Sequence, residues 1–240
     1  MMQFIQPISD TALIQGNPDL ERSHVLRYQV YCEERGFLPA SAYPSAREFD
    51  VFDDYSLHVA SFDDSGQMAG TVRLVLPGPL GLPMFRHCRI EQEWRRKLDE
   101  IGRFCEISRL AVSRSYRRGP SRGFAGKEIP HRPELAMSDA AVLSRGKQHC
   151  SIIISLVEAM HGAARRKGIT HMVMAMEPSL RRLLGRFRIP LEEIGQECDY
   201  YGLVTPYILD LDAFDRNVPA NLFGKFANGP KPEYPAPMLN

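Results

Sequence analysis

Residues 105–112, with the sequence CEISRLAV, form the stretch that decides the fold of this chain. Its apolar residues are typical of a strand buried in a sheet, yet it carries Glu106, Ser108 and Arg109. A charged side chain inside a buried strand is costly unless it is paired or hydrogen-bonded. We therefore expect a central strand at 103–112 that places a carboxylate and a guanidinium in a built polar site.

Two earlier segments combine charge and apolar character in the same way. The sequence EFDVFD at 48–53 sets three carboxylates around two aromatic residues, and GTVRLVL at 70–76 is an apolar strand interrupted by an arginine. Buried charges of opposite sign stabilise each other only when they lie close together. A purely structural network is an equally good interpretation of this pattern. The segments predict ion pairs among Asp50, Asp53, Arg73 and Arg109, with Arg27 on an opposing helix as a further member.

The rest of the chain predicts alternating helices and strands around these segments. An Asp19 cap begins the first helix, and Pro-rich or polar loops cover 38–47 and 113–137. The pattern favours an α+β fold, a three-layer α/β/α sandwich on a mostly antiparallel mixed sheet, in one domain at 1–215 with an irregular Pro-rich tail at 216–240. The predicted helices cover 19–35, 90–99, 149–167 and 179–187, and the predicted strands cover 57–62, 68–76, 103–112, 169–176, 191–194 and 202–210.

Charge is unevenly distributed along the 240 residues, although the net charge is only +1. Residues 1–85 hold 5 basic and 11 acidic side chains, residues 86–190 hold 22 basic and 10 acidic, and residues 191–240 hold 3 basic and 8 acidic. A basic middle between acidic ends predicts an electropositive patch that attracts an anionic partner. For any single arginine, a solvated side chain without function is the alternative.

Composition argues against several classes of protein. No apolar run approaches the roughly 20 residues that a transmembrane helix needs, and the first residues lack the basic start and apolar core of a secretory signal. The five cysteines contain no C-x-x-C pair, which favours free thiols in a reducing compartment. The seven histidines lack metal-ligand spacing, and the basic region has few aromatic residues. We expect no bound metal and no nucleic-acid partner.

The polar segments also resemble a known family in their order and spacing. The match covers about residues 24–112 and resembles the autoinducer synthases, that is, the acyl-homoserine lactone synthases, which have the GNAT-type acyltransferase fold. Tyr31 and Phe37 stand where that family usually has phenylalanine and tryptophan. The residues that carry the resemblance are Arg27, Tyr31, Phe37, Glu48, Asp50, Phe52, Asp53, Gly70, Arg73, Leu74, Phe85, Glu106, Ser108 and Arg109.

The segment 180–211 is more similar to a sister group within the same fold. This group comprises the long-chain N-acyl amino acid synthases and the acyltransferases associated with the bacterial PEP-CTERM/exosortase system. The resemblance implies a bacterial cytoplasmic N-acyltransferase whose sheet is splayed between its central strands. Such an enzyme moves a long-chain fatty acyl group from acyl carrier protein, or from acyl-CoA, to the amine of an amino acid or related molecule. It implies no permanently bound cofactor, with the acyl-phosphopantetheine thioester as donor.

Glu106 is the candidate base for this reaction, because an amine that attacks a thioester must lose a proton. A structural ion pair with Arg109 or Arg73 is the alternative for Glu106. The resemblance implies that a backbone N–H near Leu110–Val112 stabilises the oxyanion. The candidate catalytic residues are Glu106, Arg109, Asp50, Asp53 and Arg73. The candidate substrate-binding residues are Arg27, Tyr31, Phe37, Phe52, Phe85, Ser108, Leu110 and Val112, although aromatic residues at such spacings are more often core.

A second set of residues is expected to meet the acyl carrier protein. Ordinary GNAT acetyltransferases bind the coenzyme A pyrophosphate with a Q/R-x-x-G-x-G/A loop, and residues 117–123 do not match that motif. A carrier protein offers one phosphodiester and an acidic surface, which scattered basic residues suit. The candidate contacts are Arg117, Arg118, Arg165, Arg166, Lys167, Arg181 and Arg182.

Two other functions stay open from the sequence. The first is acyl-homoserine lactone synthesis from S-adenosylmethionine within the same fold, against which Phe37 in place of tryptophan counts. The second is a non-catalytic module that binds an acyl chain or a carrier protein, against which Glu106, Asp50 and Arg73 together speak.

Overall fold

One mixed sheet of eight strands organises the chain, of which a computed structural model describes residues 11–117 and 139–218. The strands are β1 Thr11–Leu13, β2 Ser56–Phe62, β3 Met68–Val75, β4 Phe104–Val112, β5 His171–Met176, β6 Leu191–Glu193, β7 Cys198–Asp199 and β8 Leu203–Asp210. They lie in the order β1-β2-β3-β4-β5-β8-β6, with β7 paired to β8. Every pair is antiparallel except β4 and β5. The predicted α+β fold on a mostly antiparallel mixed sheet is confirmed.

Helices flank this sheet and agree with the predicted ones in most cases. They are α1 Asn17–Tyr28, α2 Met84–His87, α3 Gln92–Ile101, α4 Asp139–Arg166, α5 Pro178–Arg186 and α6 Leu211–Asn217. A π-helical segment, Gln29–Glu34, continues α1, so the predicted helix 19–35 comprises two helical forms. The predicted cap was wrong: Gly16 occupies the N-cap position, and Asp19 lies in the first turn, where its charge favours the helix dipole.

Helix α4 covers one face of the sheet with an apolar stripe. Ile152, Leu156 and Met160 recur at helical spacing and are fully buried in the largest hydrophobic cluster. The approach of α4 to β3 is close at Gly70, where a Cβ atom would lie 2.7 Å from the Cγ2 of Ile152. Burial of each such side chain contributes about 1.5–3 kcal/mol. This face of the sheet is therefore the main core of the protein.

The register of β3 and β4 places polar side chains together on the opposite face. Arg73 pairs with Ser108 and Val75 pairs with Glu106, while His58 of β2 lies beside Arg73. Paired residues of antiparallel strands point to the same face, and successive residues alternate between faces. Arg73, Ser108 and Glu106 therefore share the face away from α4.

Strands β4 and β5 separate halfway along their length. They pair from Phe104 and His171 to Ile107 and Met174, and the pairing ends there. Residues 108–112 of β4 continue without a strand partner on that side among the described residues. The sequence-based expectation of a splay between the central strands is thus confirmed.

A bulge in β4 lies at the point where the two strands separate. Thr71 pairs with Ala111 and Arg73 with Ser108, so two residues of β4 oppose one residue of β3. Arg109 lies in the bulge with a φ of 55°, in the left-handed region that a non-glycine residue seldom adopts. The bulge turns the Arg109 side chain away from the regular strand alternation.

Several local elements differ from the sequence-based expectation. Strands β1 and β7 and helices α2 and α6 were not predicted, because each is shorter than the pattern that periodicity detects. Helix α6 runs across the predicted domain boundary at 215. Of the predicted loop 113–137, only 113–117 lies within the described residues, with a turn of 3₁₀ helix at Arg114–Tyr116. The predicted tail from 219 onward lies outside the described residues.

Candidate active site

Three arginines and three carboxylates form a closed ring of ion pairs on the polar face of the sheet. Each arginine contacts two carboxylates, and each carboxylate contacts two arginines, so the ring carries no net charge. The nitrogen-to-oxygen distances around the ring are Arg27–Glu48 2.6 Å, Glu48–Arg109 3.1 Å, Arg109–Asp50 3.2 Å, Asp50–Arg73 2.6 Å, Arg73–Asp53 3.1 Å and Asp53–Arg27 2.6 Å.

Four elements contribute to this ion-pair ring. Arg27 comes from α1, Arg73 from β3 and Arg109 from the bulge of β4, and the loop 48–53 supplies the three carboxylates. The exposed fractions of these three arginines are only 1%, 0% and 7%. The ring therefore fastens α1 and the loop to the sheet inside the protein.

The ring holds its carboxylates in the ionised form. Burial raises the pKa of Glu48, Asp50 and Asp53, but the neighbouring arginine charges and their hydrogen bonds outweigh it and lower each pKa below its ordinary value. The Nε of Arg73 also donates to the hydroxyl of Ser108 at 3.0 Å. The structure thus brings together the four predicted network residues and the predicted further member Arg27, and it adds Glu48.

Glu106 differs from these carboxylates because it has no cationic partner. Its side chain is 1% exposed and accepts a hydrogen bond from the backbone N–H of Met84 at 2.7 Å. Burial raises the pKa of Glu106 to about 8. No ion pair reaches Glu106 from any described residue, so the alternative of a structural ion pair with Arg73 or Arg109 was wrong. At neutral pH the carboxyl is largely protonated, and it becomes a base as pH approaches 8.

A cavity of about 290 Å³ opens where β4 and β5 separate. Its wall includes Glu106 and Ser108 from the polar face of the sheet and Ile107 from the face beneath α4. The cavity therefore passes through the sheet at the splay. The remaining lining from β4, α4, β5 and α5 includes Arg109, Leu110, Val112, Ile153, Val157, Met160, Met174, Met176, Leu180, Leu183 and Leu184.

Aromatic side chains surround Arg109 at the polar side of this cavity. Its guanidinium lies 5.5 Å from the ring centre of Tyr31 and 5.4 Å from that of Tyr201. The Tyr31 hydroxyl donates to the carbonyl of Leu110 at 3.1 Å, and the Phe37 ring lies 6.1 Å from the Tyr31 ring. Tyr31 and Phe37, two of the candidate substrate-binding residues, line the cavity.

Two further cavity residues were missed from the sequence. Tyr200 and Tyr201 lie in the turn between β7 and β8, and both line the cavity. Tyr201 has a φ of 56°, and the ring of Tyr200 stacks on the ring of His87 at 4.3 Å. Two adjacent aromatic residues in a turn are the only signal of this wall that the sequence carries.

Three predicted substrate-binding residues lie outside the cavity lining, namely Arg27, which belongs to the ion-pair ring, and the aromatic residues Phe52 and Phe85. Phe52 is buried beneath the Arg86 guanidinium, 4.8 Å from its ring centre. Phe85 packs against Phe104 with ring centres 6.1 Å apart. Both belong to the second hydrophobic cluster, on the polar side of the sheet, and their contacts are those of core residues.

The predicted carrier-protein contacts have different surroundings. Arg117 forms an ion pair with Glu34 at the cavity, and Arg165 forms ion pairs with Asp212 and Asp215. Arg181 lies over the ring of Tyr207. Arg118 lies outside the described residues. The exposed members of the set are Arg166, Lys167 and Arg182.

Comparison with known proteins agrees with this geometry. Residues 26–124, which carry the ion-pair ring and Glu106, match the family model described as Acetyltransferase (GNAT) domain. No curated protein matches the chain. The match and the splayed sheet give the chain the GNAT fold and support the predicted N-acyltransferase activity.

Solved structures place this fold close to one group of synthases. FeeM, an N-acyl amino acid synthase from uncultured soil microbes, aligns with a TM-score of 0.58 and 12% identity over 89% of this chain and 97% of its own. TofI in a ternary complex with an inhibitor and MTA aligns with a TM-score of 0.54 and 17% identity, over 89% of this chain and 100% of its own. MesI, a CoA-dependent acyl-homoserine lactone synthase, aligns with a TM-score of 0.53 and 20% identity, over 90% of this chain and 95% of its own. The predicted likeness to autoinducer synthases is confirmed in the fold.

The described part of the chain contains no helix that is long and apolar enough to span a bilayer. None of its His, Cys, Asp and Glu side chains gather in a group of three or more that would hold a metal ion.

Proposed function

We propose that the protein is an N-acyltransferase that moves a long-chain fatty acyl group from a thioester to the amine of an amino acid. The observation that carries this proposal is Glu106, a buried carboxyl without a cationic partner at the wall of the cavity between β4 and β5. A carboxyl whose pKa is about 8 has the basicity that proton removal from an amine requires near neutral pH.

The reaction begins with proton transfer. The carboxylate of Glu106 accepts a proton from the acceptor ammonium, directly or through one water, and the neutral nitrogen attacks the thioester carbonyl carbon. The oxyanion then receives a hydrogen bond from a backbone N–H within residues 110–112. Collapse of the intermediate breaks the carbon–sulfur bond, and the nitrogen loses its second proton as the amide forms. The leaving thiolate takes up that proton, and Glu106 releases its own proton to solvent.

The unpaired edge of β4 suits an extended donor arm. Within residues 11–117 and 139–218, no strand pairs with residues 108–112 on the side of β5, so backbone groups there face the cavity. A pantetheine arm carries two amides, and it pairs with such an edge as an added strand would. This arrangement aligns the thioester with Glu106.

The apolar side of the cavity suits a fatty acyl chain. Ile153, Val157 and Met160 of α4 face Leu183 of α5 across it. Its volume of about 290 Å³ lies just below the roughly 300–1,000 Å³ typical of ligand pockets. We therefore assign the acyl chain to the space beneath α4 and the amine to the side of Tyr31 and Arg109.

Acyl carrier protein is the proposed source of the acyl group. The exposed basic residues Arg166, Lys167 and Arg182 lie on α4, directly after it and on α5, the two helices that also line the cavity. Changing Arg182 to Glu should raise the KM for the acyl carrier protein and leave the KM for the matching acyl-CoA unchanged, since only the protein donor presents an acidic surface. Arg96→Glu on α3 is the matched control. If Arg182→Glu changes the KM values for the two donors equally, the result would favour acyl-CoA as the donor.

Acyl-homoserine lactone synthesis is the second candidate function. It is favoured by the structural likeness to MesI, a CoA-dependent acyl-homoserine lactone synthase. The test is to incubate the protein with palmitoyl carrier protein, the twenty amino acids and S-adenosylmethionine, and to identify products by mass. We expect an N-acyl amino acid. A short-chain acyl lactone would overturn the choice of acceptor, and donor binding without thiol release would favour a binding module.

A further inference from the structure

Two cysteines that are far apart in sequence meet beside the cavity. The sulfur atoms of Cys88 and Cys198 lie 3.0 Å apart, and both thiols are reduced. A disulfide bond measures about 2.05 Å, so closure needs a further approach of only about 1 Å. Cys88 directly follows α2, and Cys198 begins β7.

The backbone already holds the two cysteine segments together. Ile90 and Gly195 form an antiparallel bridge, and the N–H of Glu91 donates to the carbonyl of Ile194 at 2.9 Å. A Cβ atom at Gly195 would lie 2.2 Å from the carbonyl oxygen of Arg89, so the approach there requires glycine. The backbone beside the two cysteines is therefore already paired.

The cysteine pair connects two parts of the proposed active site. Helix α2 begins at Met84, whose N–H binds Glu106, and ends at His87, whose ring stacks on Tyr200. Tyr200 lies two residues after Cys198 and lines the cavity. A covalent bond between the cysteines would fasten the cavity wall to the helix that holds the base.

We propose that Cys88 and Cys198 are an oxidation site that closes to a disulfide. The oxidant is a low-molecular-weight disulfide. The thiolate of the partly exposed Cys198 attacks it, forms a mixed disulfide and releases one small thiol. The thiolate of Cys88 then attacks the Cys198 sulfur and releases the second small thiol. Two protein thiols lose two electrons and two protons, and the oxidant gains them as two thiols.

Closure should be the slower of these two steps. Burial and the hydrogen bond with Cys198 raise the pKa of the Cys88 thiol, so little of it is thiolate at neutral pH. We expect a mixed disulfide at Cys198 to form first and the internal disulfide to accumulate faster as pH rises.

The test uses the full chain and glutathione disulfide as the oxidant. We expect the thiols titrated under denaturing conditions to fall from five to three and a peptide linking residues 88 and 198 to appear by mass spectrometry. The variant C198S should give no internal cross-link, and C150S should still give the same one. The thiol count and the cross-linked peptide are measured on the wild-type protein, so the test does not depend on the folding of a variant. It does not depend on acyl transfer either. Five titratable thiols after oxidation, or a cross-link between other cysteines, would overturn the proposal.

Discussion

At the residue scale, the site depends on two opposite environments for a carboxylate. Glu48 lies between two guanidinium groups and has a lowered pKa, whereas Glu106 lies away from cations and has a pKa raised to about 8. Both side chains are fully buried. The difference arises from the strand register, which directs Arg73 towards the loop 48–53 and leaves Glu106 with the N–H of Met84.

The raised pKa of Glu106 predicts a specific pH dependence of stability. Between pH 4.5 and about 8 the folded protein keeps a proton that the unfolded chain has lost, so the stability falls as pH rises through this range. The variant E106Q is neutral at all pH values, and its amide oxygen still accepts from Met84. At pH 8 we expect E106Q to be more stable than the wild type by about 2–5 kcal/mol.

Urea denaturation of both proteins at pH 5 and pH 8 measures this difference. At pH 5 the two free energies of unfolding should agree within about 1 kcal/mol, because both side chains are then largely neutral. An identical pH slope in the two proteins would show that Glu106 has an ordinary pKa.

Sequence reasoning located the charged residues of the site better than the aromatic ones. Arg73, Glu106 and Arg109 stand out because charge inside an apolar strand demands a partner or a function. An aromatic residue gives no such signal, since it suits a core and a pocket equally. Phe85 was therefore assigned to the substrate although it packs on Phe104, and Tyr200 was missed.

At the element scale, α1 is held to the sheet largely by charge. Its inward side carries Ser23, Leu26 and Arg27, whereas Val25 is 38% exposed. The sequence predicted this helix, but periodicity does not identify its inward side, because a buried arginine breaks the usual apolar pattern. The helix depends on Arg27 meeting Glu48 and Asp53.

Loss of Arg27 should therefore destabilise the fold strongly. Arg27→Met leaves Glu48 and Asp53 each without one partner, and we expect a loss of about 3–5 kcal/mol. The double variant with Glu48→Gln should lose less than the two single changes together, since it removes both charges of one pair. The matched control is Arg22→Ala on the same helix, whose exposed pair with Asp19 contributes under about 1 kcal/mol. Additive losses would contradict a closed ring.

The ion-pair ring also predicts loss of stability in acid. Glu48, Asp50 and Asp53 have lowered pKa values, so their contribution is complete above pH 4.5 and is lost as pH falls below their ordinary pKa of about 4. Urea denaturation at pH 6 and pH 3 should show that the free energy of unfolding of the wild type is lower at pH 3. This decrease should be smaller in Arg27→Met. An equal fall in both proteins would show that other carboxylates cause it.

The separation of β4 and β5 was expected only through family resemblance. No local pattern announces it, because pairing between distant strands is fixed by packing above and below the sheet. The sequence also gives no signal of the bulge at Arg109, since arginine has no preference for the left-handed region.

At the scale of the whole molecule, the cavity joins the two layers of the fold. Its polar side lies with the ion-pair ring, and its apolar side lies between the sheet, α4 and α5. The order of helices and strands predicted these layers. The passage through the sheet depends on the splay, which only the assembled fold shows.

The apolar side of the cavity should set the length of the acyl chain. Leu183→Trp fills part of this space, so the preference for a sixteen-carbon over an eight-carbon donor should fall about tenfold or more. The ratio of kcat/KM values measures this preference and is insensitive to the fraction of folded protein. Leu203→Trp, at a half-exposed site outside the cavity lining, should leave the ratio unchanged. An unchanged ratio in Leu183→Trp would place the acyl chain elsewhere.

The most direct measurement of the central claim is the pH profile of acyl transfer by the wild type and E106Q. We expect kcat/KM of the wild type to rise with pH and to level off near pH 8, as the Glu106 carboxyl ionises. E106Q should be folded and about 10²–10⁴-fold slower, without this rise. An E106Q variant that transfers acyl groups at the wild-type rate, with the same pH profile, would contradict the account.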